Sequence, residues 1–167
     1  VFFRKNRLPV LSMLDVMAIV TCIVHGFGRL GCFMAGCCYG LPTDSWSGVI
    51  FTDPQCQAKP LNTAIHPTQL YEATFILLLT IGLLILKKRP TTAEATTGKR
   101  FDGQVFLVYL VVYACGRSII EMFRGDIERG FVIKDILSNS QFISLLIAAV
   151  AIWFYVKLNR KAKLIIQ

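Results

Sequence analysis

Ala73 to Leu86 read ATFILLLTIGLLIL, a run without one charged side chain. Taken upstream to Thr68, it reaches the roughly 20 apolar residues that a helix needs to cross a bilayer. Three more runs of the same kind flank it. One spans about Leu11 to Leu30 and is interrupted by Asp15, His25 and Arg29. Another spans about Gln104 to Ile120. The last, Phe142 to Tyr155, is shorter, and gains length from Ser138 to Gln141 and from snorkelling of Lys157. The predicted fold is an all-α, polytopic helical bundle in one integral membrane domain. Its spans fall at about 11–30, 68–86, 104–120 and 138–157, with loops at 31–67 and 121–137 and a polar linker at 87–103.

Composition agrees. The 167 residues are 54% hydrophobic and 17% charged, whereas soluble chains run near 45–50% and about 25%. Mean hydropathy is +0.58. Disorder is excluded by the apolar content, and 6 cysteines are too sparse for a small disulfide-stapled domain. The net charge of +8 suggests nucleic acid only if the basic residues share a soluble surface. They do not. Arg4, Lys5 and Arg7 precede the first span, and Lys87, Lys88, Arg89, Lys99 and Arg100 lie between the second and third. Lys157, Arg160, Lys161 and Lys163 follow the fourth, whereas the other two loops hold only Lys59, Arg124, Arg129 and Lys134. Positive residues favour the cytoplasmic side. Both ends of the chain are therefore expected in the cytoplasm, with the bilayer and not nucleic acid as partner. Pro90 to Gly98 reads PTTAEATTG, a cytoplasmic linker. The chain opens on Val1 and a short basic run, which reads as a piece of a longer protein.

Arg29 and Arg117 are the basic residues that topology does not explain. Ionisable groups inside spans are costly and mark functional sites by default. At 100° per residue, Asp15, Cys22, His25 and Arg29 share about 80° of arc on one helix, and Tyr113, Arg117, Glu121 and Arg124 share about 80° on another. Both stripes are expected to converge at the extracytoplasmic ends. One reading is structural, an Arg117–Glu121 i,i+4 pair that glues helices. The other is a shared polar cavity for phosphate, which the planar guanidinium binds bidentately.

Two loop segments add to this. Gly28 to Thr43 reads GRLGCFMAGCCYGLPT, whose glycines permit turns and close approach to a ligand or, alternatively, tight helix packing. Ile65 to Ala73 reads IHPTQLYEA. Pro67 suits the first helical position, with His66 near the N-cap. Gln69, Tyr71 and Glu72 then fall in the first turns, where the helix dipole favours anions. The cysteines Cys22, Cys32, Cys37, Cys38, Cys56 and Cys115 include a C-x4-C-C cluster without a paired C-x-x-C. Small apolar filling is the expectation for them, with a loop disulfide or a soft-metal site as alternatives.

The ordered set Gly28-Arg29-Leu30-Gly31, Gly40, Pro42-Thr43, His66-Pro67-Thr68-Gln69-Leu70-Tyr71-Glu72, Tyr113-x3-Arg117-x3-Glu121-x2-Arg124 and Gln141-x2-Ser144 resembles the prolipoprotein diacylglyceryl transferase family. The resemblance implies a seven-span bacterial inner-membrane enzyme, of which this chain would supply the C-terminal four spans. Such an enzyme moves a diacylglyceryl group from phosphatidylglycerol to the lipobox cysteine of a prolipoprotein, and the resemblance implies no metal or organic cofactor. It assigns catalysis to Arg29, Arg117, Tyr113 and Glu121. Substrate binding falls to Arg29, Gly31, Gly40, His66, Gln69, Tyr71, Glu72, Arg117 and Arg124, and Asp15 matches the family's aspartate in the same span. The signature's asparagines are Cys32 and Ala35 here and its glutamate is Cys37, and the upstream H-G-G segment is not in the chain. These departures leave open a non-enzymatic lipid- or peptide-binding protein, or a thiol-redox or metal protein.

Overall fold

In a computed structural model that describes residues 9–88, 101–125, 131–133 and 137–166, each apolar run is a helix. The elements are α1 (Val10–Ala35), β1 (Val49–Ile50), β2 (Ala64–Ile65), α2 (Thr68–Lys88), α3 (Gln104–Glu121), β3 (Phe131–Ile133), β4 (Leu137–Ser138) and α4 (Asn139–Ile166). All four helices are long and apolar enough to cross a membrane. The linker at 90–98 and the basic residues Arg4, Lys5, Arg7, Arg89, Lys99, Arg100, Arg129 and Lys134 lie outside the described residues.

Each helix begins and ends for a local reason. α1 runs through Gly26, Gly28 and Gly31 without a break and stops only at Gly36, whose φ of +70° closes the C-terminus. The glycine-rich stretch is thus helix up to Ala35, not irregular backbone from Gly28, because membrane helices tolerate glycine. α2 starts directly after Pro67, whose carbonyl accepts from Tyr71 N at 3.2 Å. α4 opens with a capping box. Gln141 N donates to Ser138 Oγ at 3.1 Å, and Ser138 N donates to Gln141 Oε1 at 3.2 Å.

α3 lacks a cap of its own, since Gly103 precedes it at φ +89°. Asp15 of α1 supplies one. Its Oδ2 accepts from Gly103 N at 3.0 Å and its Oδ1 from Phe106 N at 2.9 Å. This corrects the expectation that Asp15 joins Arg29 in one polar cluster. The two share a helix face, but fourteen residues of rise separate them by about 21 Å. Asp15, 1% exposed, serves the opposite end of the bundle.

α1 packs on α2, α2 on α3, and α3 on α4. Their common core is Ile19, Cys22, Ile76, Leu79, Leu83 and Val105, with Phe75 and Tyr113 packed against it. Cys22 therefore belongs to the apolar core. A Cβ on Gly116 would overlap the ring of Phe75, so this glycine sets how closely α2 and α3 approach. Met17, Val24, Phe27, Leu77, Leu78, Ile119 and Leu145 are exposed on the outer faces, as a lipid-facing bundle requires. Lys157 Nζ lies 4.8 Å from the Trp153 ring centre, a cation–π pair suited to the snorkelling expected of this lysine.

Over one end sits a small platform. β1 and β2 pair antiparallel, Val49 opposite Ile65 and Ile50 opposite Ala64. Isolated bridges tie Pro42 to Ile65 and Gly40 to Arg124. Strands this short carry no two-residue period that spacing could reveal.

A buried arginine–glutamate centre as candidate functional site

Beneath the platform, Glu72 collects the ionisable stripes of three helices. It stands in the second turn of α2 and is 2% exposed. Its Oε2 lies 3.0 Å from Arg29 Nε on α1 and 3.6 Å from Arg117 Nη1 on α3. Its Oε1 accepts from Tyr113 Oη at 3.1 Å. His25 Nε2 lies 3.4 Å from Glu72 Oε1 and 3.2 Å from Arg29 Nε. According to its tautomer, that nitrogen donates to the carboxylate or accepts from the guanidinium.

A second buried carboxylate continues the network. Glu121 Oε2 is 2.7 Å from Arg117 Nη2 and 3.9 Å from Arg124 Nη1. The i,i+4 pair that sequence spacing offered as helix glue is present, but Arg117 also faces Glu72 across the helix interface. Arg117 Nη1 is buried and within ion-pair range of Glu72, yet makes no hydrogen bond. Among the described residues, Arg29, Arg117 and Arg124 stand against Glu72 and Glu121, three positive charges to two negative with the imidazole neutral.

The remaining predicted residues sit around this centre in different ways. Gln69 is 1% exposed. Its Nε2 donates to Cys37 O at 2.6 Å, while its Oε1 is buried without a hydrogen-bond partner. Tyr71 Oη pairs with His66 Nδ1 at 3.1 Å and with Ser47 Oγ at 2.9 Å, so His66 engages its neighbour instead of capping α2 with its ring. Ser47, in a polar loop without a motif, gave no sequence signal. Gly40 is fixed by contact: an added Cβ would lie 2.6 Å from His66 O and 2.7 Å from Phe123 O. Gly31 lies in α1 with open space where a Cβ would point. His25 stands on the predicted stripe without having been named a site residue, and the structure brings it to the centre.

Two cavities flank the site. An apolar groove of about 350 Å3 runs between α1 and α2, lined by Ile23, Gly26, Phe27, Leu30, Ala73 and Leu77 among others. A larger cavity of about 810 Å3 has Cys37, Cys38, Gly40, Lys59 and Gly125 in its wall. All six cysteines are free. Burial, then hydrogen bonding to Cys32 and the nearby Cys38, pushes the Cys37 thiol up to about 11. Cys32, Cys37 and Cys38 are close enough to hold a metal ion.

Four helices long and apolar enough to cross a membrane, around a buried guanidinium–carboxylate centre, define a multi-pass membrane protein. The chain belongs to the prolipoprotein diacylglyceryl transferase family, whose sequence model matches residues 1–157. It is 41% identical over 154 residues to the phosphatidylglycerol–prolipoprotein diacylglyceryl transferase of Clostridium tetani, covering 92% of this chain and 56% of that protein. A protein of Clostridium perfringens named phosphatidylglycerol–prolipoprotein diacylglyceryl transferase 2 is 36% identical, with 90% and 54% covered. One of Dehalococcoides mccartyi, named like the first, is 33% identical, with 98% and 57% covered. The chain thus spans about half the length of the curated relatives it matches. No solved structure matches it.

Proposed function

We propose that this chain is the part of a phosphatidylglycerol–prolipoprotein diacylglyceryl transferase that binds the lipid donor, in the bacterial inner membrane with both chain ends cytoplasmic. The observation that carries the reading is the pair Arg29 and Arg117, held at one depth by the buried Glu72. The net positive charge suits one phosphodiester, and the unbonded Arg117 Nη1 has a hydrogen to give it. The groove between α1 and α2 adjoins this point through Leu30 and Ala73 and suits an acyl chain. Donor headgroup and tail thus have adjacent places.

In the reaction, the thiolate of the acceptor's lipobox cysteine attacks the glyceryl carbon that bears the phosphate oxygen. A carbon–sulfur bond forms, the carbon–oxygen bond breaks, and glycerol phosphate leaves with the electron pair. The thiol proton passes to a base. Arg29 and Arg117 stabilise the charge that grows on the leaving phosphate, a contribution worth about 10²–10³ in rate per donor. Glu72, Glu121 and Tyr113 fix the two guanidinium planes.

The test is transfer of labelled phosphatidylglycerol to a lipobox peptide by membranes containing the protein expressed from its complete reading frame. Label on the peptide cysteine, lost in Arg29→Ala and Arg117→Ala, supports the reading. Bound but untransferred lipid would instead favour the lipid-binding alternative, for which the cysteines at the signature's polar positions speak.

A further inference from the structure

We propose that Cys32, Cys37 and Cys38 form a three-thiolate site for a single Zn2+ ion. The inference does not depend on the transferase reading.

The cluster is built by the backbone. α1 ends at Ala35, and Gly36 at φ +70° reverses the chain, with Gly36 N donating to Phe33 O and Cys37 N to Cys32 O, both at 3.1 Å. Cys38 follows at φ +59°, a left-handed conformation that costs a residue with a Cβ roughly 1 kcal/mol or more. These two reversals fold Cys37 and Cys38 back over the last turn of α1. The three sulfur atoms then lie within 4.8 Å of one another.

That spacing is close to a coordination sphere. With metal–sulfur bonds of about 2.3 Å, three sulfurs lie about 3.8 Å apart in a tetrahedral set and about 4.0 Å in a trigonal one. Contraction by at most about an ångström closes the site. Soft thiolates select Zn2+ and Cu+ over hard cations.

The supports are in place around the thiols. Thr68 Oγ1 donates to Cys38 O at 2.7 Å and Gln69 Nε2 to Cys37 O at 2.6 Å. Both clamping residues are almost fully buried at the start of α2. Such outer contacts orient metal ligands. Cys37 and Cys38 line the cavity of about 810 Å3, which gives an ion a way in. Three thiolates around a divalent cation carry one net negative charge, and Arg29 is within Coulomb range of Cys32 and Cys38. Apolar filling, the ordinary role of a half-buried cysteine, accounts neither for the left-handed Cys38 nor for three sulfurs within 4.8 Å of one another.

The test is Zn2+ binding to the detergent-purified chain under a non-thiol reductant, against a competing chromophoric chelator. The expected result is one Zn2+ per chain, with affinity lowered about 100-fold or more by C32S, C37S or C38S and unchanged by C115S. On the unaltered chain, which removes any question of variant folding, bound Zn2+ protects Cys32, Cys37 and Cys38 from alkylation and leaves Cys115 reactive, as read by mass spectrometry. No stoichiometric Zn2+, or protection falling on other cysteines, overturns the proposal.

Discussion

Glu72 carries the most consequence of any single side chain. It is almost fully buried and faces Arg29, Arg117 and Tyr113 together. Glu72→Gln keeps the shape and removes the charge that holds two guanidinium groups in place. The variant should lose about 3 kcal/mol or more of stability, the ordinary cost of stripping one partner from a buried ion pair. Thermal unfolding in detergent, followed by helix signal, measures this, and a midpoint equal to that of the unaltered chain would contradict it. At this scale the sequence was informative because helical arithmetic works over short distances. Arg29 with His25, and Arg117 with Tyr113, Glu121 and Arg124, emerge as stripes from spacing alone. Asp15 shows the boundary of the method. An angular match says which face a residue takes but not its depth. The cysteines show another: linear C-x4-C-C spacing does not reveal the two left-handed turns that gather the sulfurs.

The elements divide the labour by end. At one end Asp15 closes the start of α3, and at the other the platform residues enclose the charged centre. Asp15→Ala should cost about 1–2 kcal/mol through the lost cap and leave transfer per folded molecule within about threefold, because the residue lies about 21 Å from Arg29. A larger loss in the assay, normalised to folded protein, would place Asp15 in the chemistry. Gly40→Ala tests the other end. A methyl there meets the carbonyl oxygens of His66 and Phe123, which belong to the two segments the platform joins. We expect the variant to retain its helices but to lose the Gly40–Arg124 bridge and most transfer activity. Circular dichroism alongside the transfer assay checks both halves. The helices were legible from apolar run length, and the start of α2 from Pro67, whereas the Ser138–Gln141 capping box emerges only in the structure. The platform was not, because its pairing depends on where α1 and α2 place their ends.

For the whole molecule, charge distribution and architecture make one statement about orientation. Lys87 and Lys88 close α2 at the end remote from Glu72, and in the orientation we propose, with basic residues cytoplasmic, the charged centre lies near the outer leaflet. Trp46, 98% exposed on the platform loop, is a suitable reporter. In intact spheroplasts an impermeant thiol reagent should label Trp46→Cys and spare Lys88→Cys, as read on the isolated peptides. The reverse pattern would invert the orientation. In that orientation the centre is level with phospholipid headgroups, as the proposed binding of a lipid phosphate requires.

The central claim is that Arg29 and Arg117 act on the same phosphate, held by the same carboxylate. The measurement that addresses it most directly is a double-mutant cycle on kcat/KM for transfer from phosphatidylglycerol, using Arg29→Ala, Arg117→Ala and the pair, with Glu72 intact. Each single change should cost about 100-fold or more. The double change should cost about as much as the worse single, since residues that act as a unit are not additive. Retained activity in either single variant, or losses that multiply in the double, would contradict it.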